Sequence, residues 1–463
     1  MTDATPLLQP DRGQPARTLH LTDPAHFDAW LAAQPPRHRA AATAQQLAPK
    51  GYNMAILPGD GPEDWSVVGV VANVDALSPW CLARLAEVLP EGAYRLADRD
   101  PGLSAFGWTV AQHRFDRYRK ADRPAGPRIL LTSDVARIDP VLRLAAATSK
   151  VRDLVNTPAA DMGPPVLEAE VETLGQAHGA TVTVTRGDAL ASGYPMIHAV
   201  GRAATKAHQP RLIELEWGDP AHPRVALVGK GVCFDSGGLD IKASAGMRLM
   251  KKDMGGAAHA LALAGLVMAE KLPVRLHLLI PAVENSVSAD AFRPGDVLRT
   301  RKGLTVENTN TDAEGRLILA DALTRAVEEK PELILDYATL TGAARVALGP
   351  DLPPVFANSD PLADALLAAA ELEADPLWRM PLWDGYDEML KSDIADMVNA
   401  PDGGFAGAVT AALFLRRFVP AEIEWAHLDV FAWRPVLKPG RPRGGEAMGL
   451  RAAWRMLQDR FGG

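Results

Sequence analysis

Cysteine is nearly missing from this sequence: Cys81 and Cys233 are the two thiols in 463 residues, and their surroundings are unrelated. That rules out a disulfide framework or a thiolate zinc site and suits a reducing compartment. Long hydrophobic runs are also lacking. The longest uncharged apolar stretch, 254–269, is rich in Gly and Ala and contains His259; it falls short of the roughly 20 residues that span a bilayer, so it reads as a buried helix and no membrane partner is expected. The opening MTDATPLLQPDRGQPART has Asp3 early and no basic segment leading into an apolar one, which is not the pattern of a secretion signal. A cytoplasmic protein is expected. Positive charge is not in excess, since 49 Lys and Arg stand against 57 Asp and Glu, a net of −8; that gives no electrostatic case for nucleic acid as a partner. His-Glu-x-x-His, Gly-x-Ser-x-Gly, Walker and Gly-x-Gly-x-x-Gly motifs are all absent, so the usual zinc-peptidase, serine-hydrolase and nucleotide-binding classes lose ground.

What is present is enough apolar residue, 47% against 23% charged, to bury a sizeable core, and a length that suggests two domains. Candidate strands at 53–57, 66–71 and 128–131, with helical patterns at 81–88 and 103–115, predict a smaller N-terminal α/β domain over 1–138. Its first stretch, about 20 residues, is Pro-rich and polar and is expected to fray. A helix at 140–155 ends at Asn156-Thr157-Pro158, where proline disfavours helix at the residue before it; 139–160 is therefore the connecting helix and linker. Strands at 181–185, 212–216, 225–228, 274–280, 333–336 and 423–429 alternate with helices, predicting over 161–463 a larger catalytic α/β domain with a mixed, largely parallel sheet.

Two segments carry the chemistry: Gly229-Lys-Gly-Val-Cys-Phe-Asp-Ser-Gly-Gly-Leu-Asp-Ile-Lys242 and Asn310-Thr-Asp-Ala-Glu-Gly-Arg-Leu317. Both follow strand-like runs, and glycine-rich chain at a strand end lets polar side chains reach the rim of a sheet. With Asp253 they offer four carboxylates, Asp235, Asp253, Asp312 and Glu314. Like charges gathered in a partly buried cleft repel strongly, so such a group implies cations, and two divalent ions balance four carboxylates. Lys230 could then donate to a metal as a neutral amine, while Lys242 and Arg316 stay charged and stabilise developing negative charge. Other residues have plainer readings. Lys251 and Lys252 read as a solvated face or as salt-bridge partners, His259 and His277 as satisfied core residues, and Cys233 as a small buried hydrophobe.

Asn310–Leu317 resembles the signature octapeptide of the leucine aminopeptidase (cytosol aminopeptidase) family. The likeness extends through Glu284-Asn285, Arg293-Pro-Gly-Asp296, Leu319-Ala-Asp-Ala-Leu323, Ala338-Thr-Leu-Thr-Gly342, Leu390-Lys-Ser-Asp-Ile-Ala-Asp396 and His427-Leu-Asp429. It implies a metal-dependent exopeptidase that removes apolar N-terminal residues from peptides with a free N-terminus. Asp235 and Glu314 would bridge two metal ions, Lys230 and Asp253 would complete one ion, and Asp312 the other. Mn or Zn would serve best, with Co or Mg possible, and a hydroxide between the ions would be the nucleophile. Lys242 would polarise the scissile carbonyl and Arg316 would anchor a bicarbonate. Met250, Thr339 and Gly342 would form the side-chain slot, with Asn310 and Leu340 also in contact with substrate. A homohexamer is implied. After Asp429 the chain reads Val-Phe-Ala-Trp-Arg-Pro, departing from the Ala-Gly-Thr type of run common in the family, so the preferred N-terminal residue does not carry over. Competing readings are a two-metal phosphoesterase and a hexameric scaffold or DNA-binding regulator on the same fold.

Overall fold

The computed structural model describes residues 5–119 and 126–462. The chain divides into two compact units, Met1–Ser149 with Val436–Arg443, and Lys150–Pro435 with Gly444–Gly463.

The first unit is built on a sheet of β1 (Leu8–Pro10), β2 (Arg17–Thr22), β3 (Met54–Pro58), β4 (Trp65–Val70), β5 (Gly92–Leu96) and β6 (Arg128–Thr132), in the order β1-β6-β5-β2-β4-β3. β3 runs antiparallel to β4 and the other pairings are parallel. Trp108, Tyr94, Leu19 and Val67 fill its core, and the Trp108 indole donates to the Arg128 carbonyl at 2.8 Å. The expected fraying of the opening segment is not met at Leu8–Pro10. Leu8–Pro10 pairs with Leu130–Thr132 and Leu8 is buried, so tertiary burial of one leucine overrides a locally weak strand sequence; residues 1–4 lie outside the described residues.

The second unit carries β7 (Thr181–Arg186), β8 (Arg211–Trp217), β9 (Arg224–Gly229), β10 (Gly231–Asp235), β11 (Arg275–Asn285), β12 (Val297–Arg299), β13 (Thr305–Glu307), β14 (Leu333–Ala338), β15 (Pro354–Ala357), β16 (Trp378–Arg379), β17 (Met397–Val398) and β18 (Glu424–Asp429). The main sheet runs β16-β15-β18-β14-β9-β11-β8-β7, with β10 on β11, while β12, β13 and β17 form a small separate sheet. Its centre, β18-β14-β9-β11, is parallel, and antiparallel partners flank it. Every residue of β9 and β14 is buried, the signature of strands covered on both faces. Asp336, in the middle of β14, is tolerated there because the Trp425 indole (2.6 Å) and the His427 ring (2.5 Å) satisfy its oxygens. The helix Gly255–Ala269 is buried along almost its whole length, as its all-round apolar sequence demands. It and the helix Glu314–Glu328 both pack on β9 and β11. Among the described residues no helix is long and apolar enough to cross a membrane.

Candidate metal centre

The parallel strands of the second unit deliver their last residues to one rim. Lys230 follows β9, Asp235 ends β10, Asn285 ends β11, Thr339 follows β14 and Asp429 ends β18, the place where open α/β sheets form sites. Lys230 is fixed by its backbone: its N–H donates to the Tyr337 carbonyl at 2.9 Å and its carbonyl accepts from Ala257 at 2.8 Å. Flanking glycines make this fit. A Cβ on Gly229 would stand 2.6 Å from the Ala257 Cα, and one on Gly256 would stand 2.1 Å from the Tyr337 oxygen. Strand and helix thus meet backbone to backbone, which brings Lys230 and Asp253 together.

Lys230 Nζ lies 2.7 Å from Asp253 Oδ2 and 2.9 Å from Glu314 Oε1, and donates to the Thr339 carbonyl at 3.3 Å. Lys242 Nζ lies 2.8 Å from Asp235 Oδ2 and pairs with Asp312. One carboxylate oxygen from each of Asp235, Asp312 and Glu314 falls within 4.8 Å of the others. Asp235 Oδ1 accepts from the Gly237 N–H and the Asn285 amide, both at 2.9 Å. Across from it, the Asp312 N–H donates to Asn310 Oδ1 at 2.8 Å, and the Thr311 hydroxyl donates to the Gly237 carbonyl at 2.6 Å. Asn399 secures the other side of that loop, its amide donating to the Asn310 carbonyl (2.7 Å) and to Asn308 Oδ1 (2.9 Å). Arg316, in the first turn of the helix Glu314–Glu328, donates from Nη1 to the Asn399 carbonyl at 2.7 Å; its Nε is buried without a hydrogen-bond partner.

The electrostatics follow from burial. Glu314, 1% exposed, is pushed up to about 8 by desolvation and then by the charge of Asp235. Asp312 is raised to about 6 by the same two causes. Burial opposes the charge on Lys230, yet Asp253, Glu314 and Asp235 outweigh it and hold the amine protonated. Lys242 is held charged in the same way by Asp235 and Glu314. The neutral Lys230 expected from the sequence therefore requires a divalent cation in the cluster, which would reverse the sign of the local field. Burial lowers Arg316 to about 10, leaving it a cation at neutral pH.

Whether these residues suit metal can be read from Glu314: its Oε2 is buried with no hydrogen-bond partner. An orphaned carboxylate oxygen costs a few kcal/mol unless a ligand takes it. Oxygen donors with one amine fit hard or borderline divalent ions.

The remaining expected residues lie around this cluster. Met250 opens the 3₁₀ turn Met250–Met254 that delivers Asp253, and the Thr339 hydroxyl donates to Asp253 Oδ1 at 2.7 Å. Leu340 packs on the main core, and its N–H donates to Asp429 Oδ1 at 2.9 Å. Gly342 begins the helix Gly342–Leu348, capped by Thr341, whose hydroxyl accepts from Ala344. Of the two expected readings of Lys252, the salt-bridge partner holds and the solvated face does not. This lysine is 1% exposed, 4.0 Å from Asp253 Oδ1, and lowered to about 8 by burial, because its turn packs against β10. Lys251 instead reaches the Asn156 carbonyl. His259 is a satisfied core residue, donating from Nδ1 to the Gly255 carbonyl (2.7 Å) and accepting at Nε2 from Met448 (2.9 Å). His277 pairs with Glu214 at 3.1 Å, and burial pushes the Cys233 thiol up and keeps it inert. Sequence reasoning assigned no role to Asn285, Asn399 or Asp429, which hold the site's loops; Asn285 and Asp429 fall within stretches that carry the family likeness, and Asn399 does not.

The chain is similar over most of its length to known proteins. Residues 149–453 match the cytosol aminopeptidase family, catalytic domain, and residues 18–131 match the M17 aminopeptidase, N-terminal domain. A probable cytosol aminopeptidase of Syntrophotalea carbinolica is 42% identical over 76% of this chain and 74% of that protein, and one of Caulobacter vibrioides is 38% identical over 92% and 91%. The crystal structure of a cytosol aminopeptidase from Coxiella burnetii superposes with a TM-score of 0.92 at 44% identity, covering 98% of this chain and 99% of that one. The bottromycin maturation enzyme BotP in complex with Mn superposes with a TM-score of 0.86 at 32% identity, covering 96% and 100%. The chain belongs to the cytosol aminopeptidase family, metal-dependent hydrolases that act on peptides.

Proposed function

We propose that the rim cluster binds two divalent ions per subunit, Mn or Zn in preference to Co or Mg, and removes single residues from the free N-terminus of peptides. The observation that carries this reading is the grouping of Asp235, Asp312 and Glu314 oxygens within 4.8 Å beside a buried, unpartnered Glu314 Oε2. Lys230, Asp235, Asp253, Asp312 and Glu314 would hold the ions. Bound ions would polarise the scissile carbonyl and supply a nucleophilic water at neutral pH.

The rest is work for the chain's own groups. Lys242, placed between Asp235 and Asp312, stabilises the negative charge that gathers on the carbonyl oxygen. Arg316, whose Nε is unpartnered, would hold an anion, for which bicarbonate is the candidate and which would supply a proton carrier for the leaving amine. The substrate's α-amine sits by Asp253, whose carboxylate Thr339 orients; one such anchor admits chain ends and rejects internal bonds. The first side chain enters the slot of Met250, Thr339 and Gly342, with Asn310 and Leu340 beside it.

A homohexamer is part of the same proposal, and exposed apolar side chains on this unit such as Val346 (90%) and Phe405 (86%) would be available to be covered on association. Two free, buried cysteines suit the cytoplasm. No geometric feature favours a phosphoesterase or a DNA-binding regulator. The test is to strip the protein with a chelator and assay aminoacyl amides after adding back Mn, Zn, Co or Mg. Activity indifferent to metal removal would refute the reading.

A further inference from the structure

The segment after Asp429, in which this chain departs from the run common in the family, packs beside Thr339, one of the residues proposed above for the side-chain slot. Beyond β18 the Val430 N–H still donates to the Ala338 carbonyl at 2.8 Å. The chain then bends at Ala432, which takes a φ of +54° while fully buried, a conformation that is strained for any residue but glycine. A Cβ on Gly255 would stand 2.5 Å from the Ala432 Cβ and 3.0 Å from the Thr339 methyl, so the bend is wedged against the start of the buried helix and against the slot.

That bend sets Phe431 under two cations. The Arg345 guanidinium lies over its ring, 4.6 Å from the centroid, and Lys252 Nζ lies 5.2 Å from it. Arg345 comes from the helix that Gly342 begins, and a Cβ built on Gly342 would stand 3.6 Å from its Nη2. The guanidinium therefore lies beside Gly342, one of the residues proposed for the slot. Among the described residues no carboxylate pairs with it; its Nη1 donates to the Thr341 carbonyl at 3.3 Å. The nearby acids are already engaged. Asp429 accepts from the Leu340 N–H (2.9 Å), the Thr341 N–H (3.2 Å) and the Thr341 hydroxyl (2.6 Å), and Asp253 belongs to the cluster with Lys230. A stacked, half-buried guanidinium with one donor on a carbonyl keeps its planar fork oriented, and that fork matches a carboxylate.

We infer that this slot accepts glutamyl N-termini as well as apolar ones, Arg345 being the specificity-determining residue that pairs with the side-chain carboxylate and Phe431 the surface that holds Arg345 in place. A glutamate side chain suits both halves of the slot, because its methylenes lie along the apolar wall and its charge ends at the guanidinium. The inference rests on the aminopeptidase reading above.

The test compares kcat/KM for glutamyl and leucyl p-nitroanilides with Mn-loaded protein, and the binding of free L-glutamate and L-leucine by calorimetry, in the wild type and in Arg345→Met, Arg345→Lys and Phe431→Leu. The wild type should cleave the glutamyl substrate within about tenfold of the leucyl one. Arg345→Met should lower the glutamyl-to-leucyl ratio by about ten- to a hundredfold and weaken glutamate binding in step, as loss of a charge-assisted pair requires. Arg345→Lys, which keeps the charge without the fork, should fall between, and Phe431→Leu should also lower the ratio. Circular dichroism confirms that each variant is folded, and the ratio within one variant is insensitive to the fraction of active protein. Good leucyl cleavage with no glutamyl cleavage in the wild type, or an unchanged ratio in Arg345→Met, would overturn the inference alone; cleavage of neither substrate by the wild type would overturn the aminopeptidase reading, and this inference with it.

Discussion

Removing metal and raising the pH should destabilise the second unit, and Glu314 sets the window. Its carboxyl is 1% exposed and sits at about 8 rather than its ordinary 4.5, because of burial first and Asp235 second. A group whose folded pKa is raised holds its proton more tightly when folded, so its contribution is fully present below about 4.5 and is lost as pH rises through about 8. Moving a carboxyl over that span corresponds to about 5 kcal/mol, an upper figure. At about 2 °C per kcal/mol for a domain of this size, the melting midpoint of chelator-treated protein should fall by up to roughly 10 °C from pH 5 to pH 8.5 through this group. Metal ions bind the ionised carboxylate, so the midpoint gained on adding Mn should grow across the same range. Differential scanning calorimetry of the wild type and Glu314→Gln, with chelator and then with Mn, measures both slopes. Glu314→Gln should flatten the metal-free slope. Parallel slopes for the two proteins, or a Mn-induced gain that ignores pH, would refute the reasoning.

Lys242→Ala should lower kcat by about 10²–10³ while Mn binding by calorimetry changes little, since its ammonium stabilises charge rather than binding the ion. Gly315→Ala adds one methyl group but no charge. Its Cβ would stand 2.5 Å from Lys230 Cε and 2.6 Å from Nζ, so Mn affinity should fall about 10- to 100-fold through displacement of Lys230, and unchanged affinity would show that the lysine can yield. Ser359→Ala removes a cap whose oxygen accepts from the Leu362 N–H at 3.4 Å and donates to Glu424 at 2.6 Å. It should cost about 1 kcal/mol in denaturant unfolding and leave kcat alone.

The chain announces its parallel core clearly, and the reason is burial on both faces. Strands such as Arg224–Gly229 and Leu333–Ala338 read as short apolar runs, the second interrupted only by Asp336, bounded by polar or glycine-rich chain, and those were legible. Leu8–Pro10 was not, because its strand state comes from pairing with Leu130–Thr132 rather than from its own residues. In the site, the acids and lysines stood out because charge concentrated in glycine-rich strand ends is unusual. For Lys252 the salt-bridge reading holds, through Asp253, and the solvated one does not, because nothing local shows that its turn packs against β10. Asn399 escaped notice for a different reason. Its partners Asn308 and Asn310 lie some ninety positions earlier in sequence, so its value exists only after the fold has closed.

The contact of Gly229 and Gly256 with main chain has a consequence for how this protein tolerates change. A crowded side chain can be relieved by trimming or rotating its neighbour, but the Ala257 Cα and the Tyr337 oxygen offer nothing to trim, since every amino acid has them. No second-site replacement elsewhere can make room for a methyl group at either position. In a selection for activity after random mutagenesis, these two hydrogens should therefore be as unforgiving as the carboxylates themselves, although neither takes part in the chemistry.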